Sequence, residues 1–372
     1  MNINKVDFSK SSTLYQKISL LKQEDNMKKR TIYAVIIISI LLALPLTVTL
    51  AAEKPSKVKY AHLGPPKPFD DAIHAAATAF KHILEKRSSG RFQVEIYPAG
   101  TLGKEIDMME AVKNNVIQVH AASMGGLFRI FPTALLLNAP FVFRNEAIAV
   151  EVLEGKFGQK LLDAFTEKTG IKGLANVDLY SYLAITNSVK PIRTPSDMAG
   201  LKFRGMDTLQ VTMFKALGAS AIPVAWPETF TALQTGVVHG QTNPISIVSW
   251  AKLNEVQKHL TIVNSQYGVQ WLVCNKQWYD TLPPEDKMIV RDAAKAAITT
   301  SRGLSVLLEE KSIGELRERG MNVYALSDKE ILEFQKLARP ACLDWLKTQM
   351  DPKWVDEFLR VIKEAETKLG YL

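Results

Sequence analysis

The stretch Gly200-Leu-Lys-Phe-Arg204-Gly is followed by Ala221-Ile-Pro-Val-Ala-Trp226-Pro-Glu228 and by Ala232-Leu-Gln-Thr-Gly-Val-Val-His-Gly-Gln-Thr-Asn243-Pro244. The pattern predicts a short strand at Lys202–Arg204, helices over Thr208–Leu217 and Pro227–Thr235 that end at glycines, and a further helix opened by Pro244. One arginine, one aromatic ring and one amide then lie at the ends of short elements. Such a trio can grip a small carboxylate.

Outward from this stretch, strands and helices alternate along the chain. In the N-terminal part, apolar spacing predicts a strand, helix, strand, helix, strand series at 58–63, 73–88, 92–96, 106–112 and 116–122. This βαβαβ order indicates a mainly parallel sheet covered by helices.

A second set of elements begins near Ile171. We predict strands at Ile171–Val177, Tyr182–Thr186, Leu260–Val263 and Val269–Val273. A single helix is predicted from Pro284 to about Arg319, which at 1.5 Å per residue spans about 50 Å. That length exceeds one small domain, so we expect the helix to run across two. Two more helices, near 328–350 and 352–369, complete the chain.

The fold class is therefore α/β: a two-domain clamshell with mixed sheets, several crossings between domains and one long helix across both. We expect the first domain to comprise 57–179 with about 266–305. The second would comprise about 180–265 with about 306–372. In open α/β sheets, ligands bind at the carboxyl ends of strands and between domains.

The net charge of +8 is concentrated at the N-terminus. The first 52 residues hold an excess of four basic residues, half of the total. No basic run remains in the rest of the chain, which argues against a nucleic-acid partner.

Residues 27–52 have the pattern of a secretory signal peptide. Met27-Lys-Lys-Arg30 is basic, Tyr33–Leu46 is almost wholly apolar, and Thr49-Leu-Ala-Ala52 offers small residues for cleavage. The apolar run of 14 residues is short for a membrane span, which needs about 20; a retained N-terminal anchor is the alternative. We expect Met27 to be the true start and residues 1–26 to be a non-native extension.

The sequence contains no pattern of catalytic or metal-binding residues. Its six histidines are scattered, and Gly-x-Ser-x-Gly, Gly-x-Gly-x-x-Gly and phosphate-loop patterns are absent. Neither a metal nor a cofactor is therefore expected. The two cysteines are too few for a disulfide framework. Cys274 lies in an apolar run and is predicted to be a buried free thiol; a bridge to Cys342 is the alternative.

Each residue of the trio also has a structural interpretation. Arg204 at a strand end could form a surface or structural ion pair. Trp226 at a helix entry could be a core tryptophan. Asn243 before Pro244 could be a helix N-cap.

Long linked segments resemble one known family. Pro191-Ile-Arg-Thr-Pro-Ser-Asp-Met-Ala-Gly-Leu-Lys-Phe-Arg204 is similar to the segment P-I-x-x-P-x-D-L-x-G-L-K-x-R of DctP-type solute receptors of TRAP transporters. Glu228 to Pro244 resembles the family's E-x-Y-x-A-L-Q-x-G-V-V-D-G-Q-E-N-P, and Tyr97-Pro-Ala-Gly-Thr-Leu-Gly103 matches Y-P-x-x-x-L-G. The resemblance covers about residues 57–365.

The resemblance implies a periplasmic receptor that binds a small organic acid between two domains. It would deliver this acid to the membrane subunits of a TRAP transporter, one small and DctQ-like and one large and DctM-like. Arg204 falls on the family's carboxylate-clamping arginine and Asn243 on its ligand-contacting asparagine. The remaining ligand-contact positions implied by the resemblance are Trp226, Glu228, Ser123 and Glu105.

Three positions depart from the family pattern, one of them Thr242 in place of the usual glutamate. Many relatives carry a second arginine where this chain has Leu183 or Ala184, which favours a monocarboxylate with some apolar or aromatic bulk over a dicarboxylate. His239 replaces the usual aspartate, and we favour a structural role for it over a place near the ligand.

Two other functions remain open from the sequence. An exported enzyme on this scaffold would need a nucleophile–base pair or a metal cluster in the cleft. A ligand sensor for a membrane kinase would share the fold and the site.

Overall fold

The computed structural model describes residues 9–43 and 54–372. Helix α1, Ser9–Ala43, covers parts of the predicted N-terminal extension and signal segment. The predicted cleavage residues lie outside the described residues, so the signal peptide stays a prediction. Within the described ranges, no helix combines the length and the apolar character that crossing a membrane requires.

The first sheet begins with the predicted alternation of strands and helices. Its strands and their helices are β1 (Ser56–Ala61), α2 (Ala72–Arg87), β2 (Phe92–Tyr97), α3 (Glu105–Lys113) and β3 (Val119–Ser123). Strand β1 pairs in parallel with both β2 and β3. Val58 and Tyr60 alternate inward on β1 and are fully buried beneath α2, as one covered face of a sheet requires.

Three helices and a 3-10 segment follow, none of which was predicted from the sequence. They are α4 (Met124–Ile130), the 3-10 segment Pro132–Asn138, α5 (Glu146–Glu154) and α6 (Lys156–Thr169). Helix α6 ends at Gly170, whose left-handed backbone, with φ of 73°, is the conformation that glycine adopts without strain.

A single strand, β4 (Ile171–Asn187), connects two sheets. The prediction of two separate strands at 171–177 and 182–186 was therefore wrong. The register of β4 against a later antiparallel strand, β9, shifts between Asp178 and Tyr182. Such an irregularity lets the pairing continue while the strand bends, and a period-2 pattern broken at the bulge looks like two strands.

The second sheet contains the opening stretch. Its elements are β5 (Lys202–Gly205), α7 (Thr208–Ala216), β6 (Ser220–Pro223), α8 (Trp226–Gln234), β7 (Gly240–Pro244), α9 (Ile245–Trp250), β8 (His259–Ile262) and β10 (Asn322–Ala325). Strand β9 (Tyr267–Asn275), which follows β8 along the chain, belongs to the first sheet. The continuous strand order is β2-β1-β3-β9-β4-β7-β5-β6, with β8 and β10 off this path. Strands within the βα units pair in parallel, whereas β4 and β9 introduce antiparallel pairs. The sheets are thus mixed, as predicted.

The long helix is present almost as predicted. The last helices are α10 (Lys276–Thr281), α11 (Pro284–Glu318), α12 (Asp328–Gln349) and α13 (Pro352–Lys368). Helix α11 contacts α2 beside the first sheet and β10 in the second. Small residues are buried at every fourth position along part of it, at Ala293, Ala297, Ser301 and Ser305. One helical face of small side chains allows the backbone to approach its neighbours closely.

Residues Pro55–Leu372 form one compact unit. The division into two domains at the predicted boundaries stays a prediction. Both cysteines are free and buried, which agrees with the expectation for Cys274 and not with a bridge to Cys342. Burial raises the pKa of both thiols, that of Cys342 to about 12.

Candidate functional site

Arg204 is a buried cation on the third residue of β5. It is 2% exposed, and its Nε donates to the carbonyl oxygen of Val224 at 2.9 Å. Among the described residues, nothing accepts a hydrogen bond from Nη1 or Nη2. Burial lowers the pKa of Arg204 to about 10, while the carboxylate of Asp207 acts in the opposite sense. The guanidinium is therefore charged at neutral pH and keeps two donor groups for a further partner. A surface ion pair is not its role.

Trp226 and Asn243 lie beside Arg204 at element ends. Trp226 is the first residue of α8 and is partly exposed, so it is not a core tryptophan. Its ring packs edge-on against Trp250, with centroids 5.7 Å apart. Asn243 is the fourth residue of β7 and donates from Nδ2 to Gln241. The residue before α9 in the cap position is Pro244, so the N-cap interpretation of Asn243 was wrong.

Glu105 and Ser123 come from the first sheet and hydrogen-bond to one another. Glu105 opens α3, and its Oε1 accepts from the backbone nitrogen of Ser123 at 2.7 Å. The same oxygen lies 3.1 Å from Nε2 of His120.

Glu228, on α8, forms an ion pair instead. Lys104 Nζ lies 2.7 Å from its carboxylate, and both side chains are more than half exposed. The hydrogen bond from Lys104 lowers the pKa of Glu228. The pair joins the start of α3 to the start of α8.

One cavity brings all six predicted residues together. It has a volume of about 410 Å³, and its lining includes Arg204, Asn243, Trp226, Glu228, Ser123 and Glu105. Elements of both sheets contribute to its walls. Their contact with a ligand stays a prediction, but their convergence from positions as distant in sequence as Glu105 and Asn243 is a property of the fold. The volume suits a small molecule.

The cavity also has lining residues that sequence reasoning missed. They include Asp71, Lys104, Arg129, Met206, Trp250 and Gln270. Gln270 stands opposite Ser123 in the antiparallel pair of β3 and β9. The pairing of β3 with β9 identifies Gln270 as a lining residue, whereas no sequence motif does.

Asp71 is a buried carboxyl group at one edge of the cavity. It is 4% exposed, and its Oδ1 accepts from the backbone nitrogen of His74 at 2.7 Å as the N-cap of α2. Burial raises the pKa of Asp71 to about 7, although the backbone N–H groups of His74 and Ile73 oppose that shift. Gly64 makes room for it, because a Cβ there would lie 2.3 Å from Oδ1 of Asp71.

A histidine pair lies behind Asp71. His62 Nδ1 accepts from the backbone nitrogen of Gly64 at 3.1 Å, so its Nε2 donates to Nδ1 of His74 at 3.0 Å. Burial, with smaller contributions from His74 and His120, lowers the pKa of His62 to about 3. His62 is thus neutral and orients the loop that carries Asp71.

The three family departures, Thr242 among them, lie away from the cavity. Leu183 and Ala184 are 4% and 1% exposed, and neither is among the lining residues. His239 accepts from the backbone nitrogen of Lys202 through Nδ1 at 3.1 Å, which ties it to β5. This contact agrees with the structural role expected for His239. In the ranges that the structure describes, no group of three or more His, Cys, Asp or Glu side chains could hold a metal ion.

Comparison with curated proteins gives relatives that are solute receptors. A solute-binding protein of Verminephrobacter eiseniae is 35% identical over 255 residues, 68% of this chain and 76% of that protein. The 2,3-diketo-L-gulonate-binding periplasmic protein YiaO of Escherichia coli is 33% identical over 261 residues, 70% of this chain and 79% of that protein.

Solved structures of TRAP solute-binding proteins share the fold. The sugar-acid-binding protein DctPAm of Advenella mimigardefordensis, in complex with galactonate, matches with a TM-score of 0.78 and 29% identity, over 84% of this chain and 99% of its own. A TRAP periplasmic solute-binding protein of Polaromonas bound to D-erythronate matches with a TM-score of 0.76 and 31% identity, over 82% of this chain and 98% of its own.

The family model for bacterial extracellular solute-binding proteins of family 7, DctP, matches residues 66–348. This range is most of the chain and contains all six predicted site residues. The chain belongs to this family, the DctP-type solute receptors of TRAP transporters.

Proposed function

We propose that this protein binds a small organic acid through its carboxylate and delivers it to a TRAP-type membrane transporter. The observation that carries the proposal is Arg204, a buried guanidinium whose two Nη groups have no acceptor among the described residues and which lines a cavity of about 410 Å³. A buried cation with free, parallel donors fits a carboxylate by two hydrogen bonds. Its ligand-free state is costly, so an anionic ligand is favoured strongly.

Asn243 and Trp226 supply two further contacts that we assign to the ligand. Asn243 would donate a hydrogen bond to a carboxylate oxygen, and Trp226 would cover the ligand and exclude water. Excluding water strengthens every polar contact inside the cavity. Closure of the two sheets on the ligand about β4 would trap the acid.

The proposed partners are the membrane subunits of the transporter, one small and DctQ-like and one large and DctM-like. The closed form would present them with a surface that the open form lacks. The proposed location is the periplasm, after export by the signal segment at about 27–52.

The relatives narrow the ligand to organic acids. YiaO is named for 2,3-diketo-L-gulonate, and the two solved relatives hold galactonate and D-erythronate. All three are monocarboxylates. Arg204 is the one buried arginine among the lining residues, so we propose for this chain a single carboxylate held by Arg204. Those ligands carry polar hydroxyl or carbonyl groups rather than apolar bulk, and we propose a polar monocarboxylate here too.

A thermal-shift screen of organic acids followed by calorimetry tests the proposal. A ligand at 100 times its Kd stabilises the folded protein by about 2.7 kcal/mol. Arg204→Met keeps the volume of the side chain and removes the charge, and we expect it to weaken binding by at least about 100-fold. His239→Gln, which lies outside the cavity, is the matched control and should bind as the native protein does. Undiminished affinity in Arg204→Met, or turnover of an acid or ester by the native protein, would overturn the proposal.

A further inference from the structure

Asp71 differs from the other two carboxyl groups among the described residues that line the cavity. Glu228 pairs with Lys104 at 2.7 Å, and Glu105 lies 3.1 Å from Nε2 of His120. In the part of the chain that the structure describes, no basic nitrogen lies within ion-pair distance of Asp71. The residue is nevertheless only 4% exposed. Its carboxylate form therefore carries a buried charge that no cation stabilises.

The immediate surroundings of Asp71 contain little water. The backbone of Gly64 packs against its carboxyl group on one side. On another side, a void of about 10 Å³ is lined by groups that include Asp71, Ile73, Ile247, Trp250 and Leu308. A void of that size holds no more than about one water molecule. The ligand cavity is thus the main source of water for this carboxyl group.

The charged and titratable groups around Asp71 belong to several elements. They are His62 after β1, Asp70 next to it, His74 on α2, Lys104 and Glu105 at the start of α3, Arg129 on α4, Arg204 on β5, Glu228 on α8 and Lys311 on α11. Helix α9 contains no charged residue. The pairs Lys104–Glu228 and Asp70–Lys311 each join opposite charges. Burial lowers the pKa of both histidines, so their rings are neutral above pH 7.

An acid in the cavity changes the surroundings of Asp71 in two ways. It displaces water, and burial is already the largest cause that raises the pKa of Asp71, to about 7. It also adds a negative charge. A cavity of about 410 Å³ is about 9 Å across when it is treated as a sphere. Two like charges that far apart, at an effective dielectric constant of about 20, change a protonation equilibrium about tenfold. Both effects favour the protonated form of Asp71.

We infer that the receptor takes up one proton together with the acid, and that Asp71 is the group that binds this proton. The inference rests on the proposed function, because it presumes that an anion occupies the cavity beside Arg204. It gives Asp71 a role beyond the N-cap of α2. The affinity for the acid then depends on pH, a property that Arg204, which stays charged near neutrality, does not provide.

The direction of the pH effect follows from linkage. At about pH 6, Asp71 is mostly protonated before the acid binds, so binding is tightest and takes up almost no proton. As the pH rises through about 7, the free receptor loses this proton and binding must restore it. A tenfold coupling predicts uptake of about half a proton per acid at pH 7.5. It also predicts that the Kd rises about fivefold to tenfold from pH 6 to pH 8.5. The pKa of Arg204, about 10, lies above this window.

Calorimetry of the native protein in phosphate and in Tris at pH 7.5 measures the uptake, because these two buffers release protons with different enthalpies. The probes are D-erythronate and galactonate, which two solved relatives hold and which stay ionised from pH 6 to pH 8.5. If neither binds, the acid of the thermal-shift screen with the highest affinity replaces them. We expect the binding enthalpy to differ between the buffers at pH 7.5, and to differ much less at pH 6.

Asp71→Asn removes the titrating group and keeps a residue that suits an N-cap. We expect this variant to take up no proton at pH 7.5, with a Kd that changes less than about twofold between pH 6 and pH 8.5. Asp70→Asn is the matched control, since this neighbouring carboxylate has a side chain that is 48% exposed and pairs with Lys311. It should take up the proton as the native protein does. Should Asp71→Asn not fold, Asp71→Ser, which also suits an N-cap, replaces it.

The outcomes separate this inference from the proposed function. If no acid binds at any pH, the proposed function fails. If acids bind to the native protein without proton uptake, or with proton release, the inference fails and the proposed function stands. Uptake that persists unchanged in Asp71→Asn or Asp71→Ser would assign the proton to another group and overturn the role of Asp71.

Discussion

The two walls of the cavity differ in the polar groups that they present. Arg204, Trp226 and Asn243, which we call the arginine wall, come from the second sheet and offer donors. Glu105, Ser123 and Gln270, which we call the first-sheet wall, come from α3, β3 and β9. Glu105 and Ser123 already hydrogen-bond to one another, whereas the two Nη groups of Arg204 have no acceptor among the described residues. The arginine wall is therefore the one that we propose to hold the carboxylate.

The largest expected effect on ligand affinity is on the arginine wall. Arg204→Lys keeps a positive charge but replaces the planar fork by a single ammonium group, which cannot make two parallel hydrogen bonds to a carboxylate. We expect calorimetry to show about a 100-fold loss of affinity. The loss should be similar for every acid that the native protein binds. Undiminished affinity for all of them would remove the distinction between the walls.

The second effect concerns the buried carboxyl of Asp71 and appears in stability. Its pKa is about 7 in the folded protein and near 3.8 in the unfolded chain. The folded state thus binds this proton more tightly, so the stability from Asp71 is complete below about pH 4 and is lost as the pH rises to about 7. The full loss is about 4 kcal/mol by linkage.

Asp71→Asn isolates this contribution. Asparagine is also a good N-cap, so α2 should keep its start. We expect the melting temperature of the native protein to fall more between pH 5 and pH 8 than that of Asp71→Asn. Asp344→Asn, on the exposed surface of α12, should follow the native curve. Parallel curves for the native protein and Asp71→Asn would show that the carboxyl is ionised without cost at this edge of the cavity.

The third effect concerns the aromatic pair beside Arg204. Trp250 packs against Trp226 with centroids 5.7 Å apart and also lines the cavity. Trp250→Leu removes the ring pair and part of the apolar cover, and we expect about a fivefold to tenfold loss of affinity for hydroxylated and unhydroxylated acids alike. Trp345→Leu, on α12 outside the cavity, is the control. Unchanged binding in Trp250→Leu would show that Trp226 covers the ligand alone.

The arginine wall could be predicted from sequence because its residues lie in contiguous segments. Arg204, Trp226 and Asn243 fall within about 40 residues, each at the end of a short element with glycine or proline beside it. Local rules for strand ends and helix starts place such residues without knowledge of the fold. The long helix α11 was predictable for the same reason, because its pattern is local.

The first-sheet wall could be predicted only in part. Glu105 followed from the family resemblance, but Gln270 depends on the antiparallel pairing of β3 with β9, strands about 150 residues apart. No local pattern fixes which distant strands pair. The bulge in β4 was missed on similar grounds, since only the register against β9 shows it. His120 lacks any motif, and only the structure places it 3.1 Å from Glu105.

The smallest expected effect is at the ion pair that joins the two walls. Lys104 Nζ and the Glu228 carboxylate are 2.7 Å apart, and both side chains are largely exposed. Such pairs contribute little and are screened by salt. We expect Lys104→Met to weaken acid binding no more than about threefold at low salt, with the difference vanishing in 1 M NaCl.

Glu228 was predicted to contact the ligand, and substitutions of Glu228 and of Lys104 separate that role from the ion pair. If the pair is its whole contribution, Glu228→Gln and Lys104→Met will have the same small effect, and the double variant will match either one. A tenfold loss in Glu228→Gln that persists in Lys104→Met would instead show that Glu228 touches the ligand directly.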